Sequence, residues 1–235
     1  MPRVLVGELM DDPRLDPVEH ARALRGLARL NALSRAGAGF YQPLAGLSRS
    51  LDRPLTIVDI ATGSADVPVA LLRRARRDGL RFEVTACDNS PVALEHARAR
   101  ARAAGVELAT RQLDILEHDP PAADAMLCSL FLHHLSDGDV RLVLGKLAAA
   151  ARSLVLVSDL RRGAWGNLLA AAVPRLVTRS RVVHVDALRS ARAALSMGEV
   201  RSLTRGIEHG GRWTAGAAFP ARMLIAWHRS DTTPS

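Results

Sequence analysis

Three aspartates in this sequence each close a short apolar run: Asp59 ends LTIVDI, Asp88 ends FEVTACD and Asp114 ends ELATRQLD. A carboxylate accepts several hydrogen bonds at once, so an acid at a strand tip suits a ligand that presents a diol or an amino group. Asp59 is followed by Ala61, Thr62, Gly63, Ser64 and Ala65. Such small residues let a ligand reach the backbone, and Gly63 is free to take a positive φ. Asp88 is placed to hold a ribose diol. Asp114 stands next to apolar Ile115, a pair that suits an adenine whose amino group donates to the acid while its ring lies on the aliphatic chain. Aspartates also end strands because they favour turns, so the trio carries more than any one of them. A fourth run, ADAMLCSLF, leads into His133 and His134. Imidazole, with a pKa of about 6.5, is the side chain best suited to take a proton near neutral pH. Adjacent histidines at a helix start point about 100° apart, and no H-x-x-x-H or H-E-x-x-H spacing accompanies them, so no metal site is expected.

These residues need elements to position them. From residue 55 onward, short apolar runs alternate with amphipathic helical stretches, ending with LVLVSD at Asp159. Alternation of this kind implies crossover units and a parallel sheet. Pro68 and Pro91 fall in first helical turns, and Gly79 and Gly105 just past helix ends. Residues 11–50 read as helices, with Asp16 and Pro17 at an N-terminus and a break at Gly37 and Gly39. After Asp159 the spacing predicts a helix from Trp165 to Thr178 interrupted by Pro174, another over DALRSARAAL, and an antiparallel edge strand over RMLIAWH. The expected fold is α/β: a Rossmann-like, mostly parallel sheet flanked by helices, with N-terminal helices and a helical insertion after the fifth strand covering the site. It divides into an N-terminal helical addition, 1–50, and a main domain, 51–235, with a helical lid at 160–195.

Composition bounds the rest. A chain of 235 residues with 48% hydrophobic and 24% charged residues is an ordinary globular domain, not a disordered or collagen-like chain. Cys87 and Cys128 form no C-x-x-C pair, so neither a zinc site nor a disulfide framework is indicated, and a reducing cytoplasm fits. No apolar run reaches the length of about 18 residues that a membrane span needs, and the start MPRVLVGELMDDP lacks a cleavage site. The net charge of +8 comes with a single lysine, Lys146, and scattered arginines, while only 3% of residues are aromatic. A nucleic-acid surface would cluster its basic groups and interleave aromatics, so nucleic acid is not the expected partner.

From Leu55 to Asp159 the chain resembles class I S-adenosylmethionine-dependent methyltransferases, on VDIATGSAD, ACDNS, LDILEHDP and the fourth run, in order. It departs from their usual acid-G-x-G-x-G by having Ala61 and Ala65 where glycine is usual, which predicts ordinary φ at both. The resemblance implies S-adenosylmethionine as cofactor, with Ala61, Thr62, Gly63 and Ser64 facing its methionine part. Asp59 would support the ammonium, Asp88 the ribose and Asp114 the adenine amino group, with Asn89, Ile115 and Ser129 beside the adenosine or the methyl. The stretch L-H-H-L-S-D is similar to the L-H-D-W-S-D of plant phenol O-methyltransferases. That similarity gives His133 the general base's role, makes His134 a second catalytic candidate, and leaves the orienting partner open.

The additions resemble those of bacterial polyketide and quinone-type methyltransferases, on LARLNALSR. The expected reaction is methyl transfer to a small, largely apolar acceptor, a phenolic hydroxyl of a polyketide- or quinone-like secondary metabolite. Arg29, Asn31, Tyr41, Gln42, Arg161, Arg162, Trp165 and Asn167 are candidate acceptor contacts, and Leu168, Leu169 and Leu176 candidate lid residues. A monomer or homodimer is expected. An RNA methyltransferase and an NAD-dependent oxidoreductase are the alternatives. The second lacks G-x-G-x-x-G, and Tyr41, the only tyrosine, begins no Tyr-x-x-x-Lys pair. Base methylation is disfavoured because DPP at Asp119 precedes the fourth run and Cys128 follows no proline.

Overall fold

The computed structural model describes residues 3–7, 9, 15–16, 18–19, 22–23, 37 and 39–230. Arg29 and Asn31, two of the candidate acceptor contacts, lie outside them. The strands are β1 (Leu55–Ile60), β2 (Phe82–Asp88), β3 (Ala109–Gln112), β4 (Ala123–Ser129), β5 (Ala151–Leu160), β6 (Gly211–Ala218) and β7 (Arg222–Arg229). They make one sheet in the order β3-β2-β1-β4-β5-β7-β6. The first five are parallel, and β7 runs antiparallel to both β5 and β6. The helices with both ends among the described residues are α1 (Tyr41–Arg49), α2 (Asp66–Arg77), α3 (Pro91–Ala104), α4 (Asp137–Ala150), α5 (Ala164–Val177), α6 (Arg181–Ala193) and α7 (Met197–Leu203).

The central strands read as near-continuous apolar runs because both of their faces are covered. Along β4, Ala125 and Leu127 join Phe40, Leu44, Leu71 and Leu72 from α1, its flank and α2, while Met126 and Cys128 join Val143, Leu144 and Leu147 of α4 on the other face. Each large apolar side chain fully buried in this way contributes ~1.5–3 kcal/mol. Because α1 fills one face of the sheet, this part of the expected N-terminal addition is continuous with the main core. Asp16, the expected cap, accepts the backbone N–H groups of Val18 and Glu19.

Four expectations change. Pro174 does not interrupt its helix: α5 continues to Val177 with the proline in its last turns. The strand over RMLIAWH is antiparallel but not an edge, because β6, whose Gly- and Ala-rich GRWTAGAA gives no strong strand signal, covers it. The short helix α7 went unread, although Ser196 and Glu199 form a reciprocal capping box at its start. Finally, Ala61 and Ala65 have φ of 52° and 58°, not ordinary values. With Gly63 at φ 55° they place every second residue of the loop in the left-handed region. The loop keeps the glycine-type backbone although two glycines are missing, because its hydrogen bonds dictate the path.

Candidate active site

The parallel registers bring the chemistry to one rim. Asp59 pairs with Ala86, and Asp88 with Gln112, so the ends of β1, β2 and β3 lie side by side. On the other flank of β1, Ile60 pairs with Cys128, and Ser129 with Ser158. Along the rim therefore run Asp114, Asp88, the loop 61–65, the segment Ser129–His134 and Asp159.

The loop is tied at several points. The Thr62 N–H donates to the Cys87 carbonyl at 3.0 Å and the Ala65 N–H to the Thr62 carbonyl at 3.0 Å. The Gly63 N–H donates to Asp88 at 2.8 Å, and the Thr62 hydroxyl to Asp59 at 2.6 Å. From α3, Arg100 donates to the Ser64 carbonyl at 2.9 Å and pairs with Asp66 at 2.7 Å. Asp88 also accepts the Ser90 N–H at 3.0 Å, and Asp114 the Leu116 N–H at 2.9 Å. Asn89 is exposed beside Asp88, whereas Ile115 is buried in the core with Leu113. Lys146 of α4 spans the back of the 114–119 turn, donating to the carbonyls of Leu116 at 3.3 Å and His118 at 3.1 Å, with its side chain only 14% exposed.

Asp59 is 1% exposed, and its Oδ1 has no hydrogen-bond partner among the described residues. Burial, against the Thr62 hydrogen bond and with help from the charge of Asp88, pushes its pKa up to about 7. A buried carboxylate oxygen without a donor invites a cationic or N–H-bearing group. A Cβ built on Gly63 meets nothing within 4 Å among the described residues, so they leave space open above the loop. An adenosine-bearing ligand with an ammonium group fits this set of acceptors: Asp59 for the ammonium, Asp88 for a diol, and the second oxygen of Asp114 for an amino group. Burial pushes the Cys87 thiol up to about 11 and Cys128 well above its ordinary value, so neither serves as a nucleophile.

On the other side of the loop, Leu130 has φ 54° and its N–H donates to the Ser158 carbonyl at 2.9 Å. The chain then forms a short 3-10 turn, Leu132–His134. His133 is buried, its Nδ1 lies 2.6 Å from Asp159 Oδ1, and its backbone N–H donates to Asp159 Oδ2 at 3.2 Å. Burial raises the Asp159 pKa, but the neighbouring His133 and the Leu160 N–H outweigh it and hold the carboxyl below its ordinary value. An ionised carboxylate only accepts, so the Nδ1 carries the proton and donates it to Asp159. His134 is exposed as a residue, and its ring lies 4.1 Å from that of His133, centroid to centroid. Reduced hydration of the ring and the adjacent His133 push its pKa down.

Residues 57–153 match the family described as Methyltransferase domain. That segment is a methyltransferase domain. Solved structures agree on the fold. The S-adenosylmethionine-dependent methyltransferase SibL matches with a TM-score of 0.66 and 23% identity over 96% of this chain and 63% of its own. The plantazolicin methyltransferase BamL, solved with a triazolic desmethylPZN analogue and SAH, gives 0.66 and 16% over 89% and 90%. An O-methyltransferase family 2 protein from Planctomyces limnophilus, in complex with apigenin, gives 0.65 and 18% over 93% and 63%. The chain thus spans 63% of the length of two of these three. No curated protein sequence matches it.

Around the methyltransferase domain, the candidate acceptor contacts scatter. Tyr41 is drawn away from the rim: it is buried at the opposite end of the sheet, where its hydroxyl donates to Asp78, its ring meets Phe82 at the start of β2, and Arg74 stacks on it at 3.9 Å. Gln42 beside it is exposed. Arg161 stays at the rim, its N–H donating to the Ala221 carbonyl at 2.9 Å. Arg162 is engaged elsewhere, by Glu199 at 2.6 Å and the Ala194 carbonyl at 2.9 Å. Trp165, Leu168 and Leu176 are exposed on α5, whereas Asn167 on the same helix holds a buried Oδ1 without a hydrogen-bond partner among the described residues.

The sequence reading missed the orienting role of Asp159. The rule that found the other acids, a carboxylate where an apolar run stops, applies to it equally. It also missed the N-terminal strap. The Arg3 guanidinium donates to the carbonyls of Leu132 at 3.0 Å and Ala193 at 2.6 Å and pairs with Asp137 at 2.6 Å, fastening the histidine turn to α6. No sequence pattern announces that contact.

Proposed function

We propose that the protein transfers a methyl group from S-adenosylmethionine to a small, largely apolar acceptor, a phenolic hydroxyl in a polyketide- or quinone-like compound, with His133 as general base. The observation that carries this reading is the buried His133–Asp159 pair on the same rim as the acids of β1, β2 and β3. Bound on that rim, S-adenosylmethionine supplies a methyl group already activated as a sulfonium. The chain's own residues must hold, align and deprotonate. Asp59, Asp88 and Asp114 hold the donor by its ammonium, ribose and adenine. Asp159 fixes the Nδ1–H tautomer of His133, which makes Nε2 the ring atom that takes the proton of the acceptor hydroxyl. A phenol has a pKa of about 10, so it is a weak nucleophile until a base removes that proton. The 160–195 segment forms the cover: α6 packs on the histidine turn and α5 packs on α6. Arg161 and Asn167 are the acceptor contacts this arrangement favours, and His134 lines the mouth. The apigenin bound to the Planctomyces protein is an acceptor-like phenol on the same fold, which supports this choice.

Calorimetry with S-adenosylhomocysteine tests the donor half, and absence of binding would overturn it. Assays against a panel of phenols test the acceptor half. His133→Gln should lower kcat by about 10²–10⁴-fold while leaving S-adenosylhomocysteine binding intact. Unchanged turnover would remove His133 from the mechanism.

A further inference from the structure

The helix α5 presents an apolar face to solvent. Trp165, Leu168, Leu169, Ala172 and Leu176 recur at helical spacing on one side, and Trp165 is 68%, Leu168 56% and Leu176 86% exposed. Only Pro174 of this helix is buried. Phe219, 94% exposed, stands in the β6–β7 turn, whose Ala221 lies against Gly166 near the start of the helix. A contiguous apolar face of this kind marks an interaction site.

The charge around it says what covers it. Between residues 160 and 195 the chain carries seven arginines, 161, 162, 175, 179, 181, 189 and 192, and one acid, Asp186, which is buried. Arg175, Arg179 and Arg181 are exposed at and just beyond the end of α5. In a two-fold contact between copies these cations would meet their own images with no carboxylate from the stretch to balance them. An anionic surface meets no such repulsion. A basic-rimmed apolar helix with a tryptophan is the pattern of a helix lying in a lipid interface. No helix among the described residues is long and apolar enough to cross a membrane.

We propose that the outer face of α5, with Phe219, docks on an anionic membrane surface, the apolar side chains entering the headgroup boundary and the arginines pairing with lipid phosphates. This goes beyond the methyl-transfer reading, and the test contains neither donor nor acceptor. The full chain is sedimented with vesicles of phosphatidylcholine alone and with vesicles that also contain phosphatidylglycerol. Trp165 is the reporter, since Trp227 is buried and Trp213 half-buried. Binding to the anionic vesicles is expected, with a blue shift of emission and quenching by lipids brominated in the acyl chain. The double variant Leu168→Asp with Leu176→Asp should lower that affinity at least about tenfold. Arg175→Gln with Arg179→Gln should weaken it and flatten its salt dependence. Circular dichroism establishes that each variant folds, and the wild-type quenching stands by itself if one does not. Three results overturn the proposal: no binding to either vesicle, binding that the aspartates leave unchanged, which is attachment to any polyanion, or a concentration-dependent dimer without vesicle binding, which gives the face to a second copy.

Discussion

Single carboxylates set the pH behaviour of the site. With its pKa pushed up to about 7, Asp59 is half protonated near neutrality in the ligand-free protein. A folded-state value above the unfolded one, about 4, means that its contribution to stability is lost as pH rises from about 4 through 7. Asp59→Asn should therefore raise the melting temperature at pH 8 by more than at pH 5. A ligand ammonium reverses the preference and draws the proton off, so S-adenosylhomocysteine should bind more tightly as pH rises through 7. Calorimetry in buffers of different ionisation enthalpy should show that proton released. In Asp59→Asn the pH dependence should vanish and the affinity at pH 8 should fall roughly ten- to hundredfold, the loss of one charge-assisted hydrogen bond. Asp159 acts through its neighbour. Asp159→Asn keeps the shape but no longer fixes the imidazole tautomer, so kcat should fall with little change in KM, and the pH–rate profile should move. Loss confined to KM would argue against a positioning role. The acids were legible in the sequence because a carboxylate at the end of an apolar run needs no tertiary information to be noticed. Tyr41 was misread because type alone does not tell which end of a sheet a side chain reaches.

Between residue and molecule, the 61–65 loop illustrates how an element overrides its sequence. An alanine in the left-handed region costs roughly 1–2 kcal/mol, part of which glycine's greater unfolded-state freedom offsets. Ala61→Gly should accordingly stabilise by about 0.5–1 kcal/mol, and Gly63→Ala should destabilise by about as much even though open space surrounds its Cβ. Ala65→Gly should be near neutral, because the methyl it removes is fully buried against Val69, Ala97 and Ala101. Thermal melts would register these changes as shifts of about 2–4 °C per kcal/mol. The βα alternation through Asp159 was readable because two-faced burial writes strong apolar runs. Helix α7 and strand β6 were not, since one is only two turns long and the other is built from glycine and alanine in a half-exposed strand.

Over the whole molecule, three paired acids make the fold sensitive to low pH. Arg53, held in two hydrogen bonds of 2.6 and 2.8 Å, keeps Asp124 well below the usual carboxylate range, helped by Thr56. Asp159 and Glu199 are also lowered, their burial outweighed by His133 in one case and by Ser196 and Arg162 in the other. Lowered folded-state values give stability that is present above about pH 4 and disappears as pH falls below it. The urea midpoint should drop between pH 5 and pH 3, and Asp124→Asn should begin lower and drop less. Lys146 clasps the carbonyls of Leu116 and His118. The single lysine side chain of this sequence is tucked away, so acylating reagents, aldehyde fixatives and activated-ester resins find almost no ε-amine on the folded surface to attack. The slow acylation of this ε-amine, told apart from that of the α-amino group by peptide mapping, becomes a mass-spectrometric clock for how often the 114–119 turn swings open.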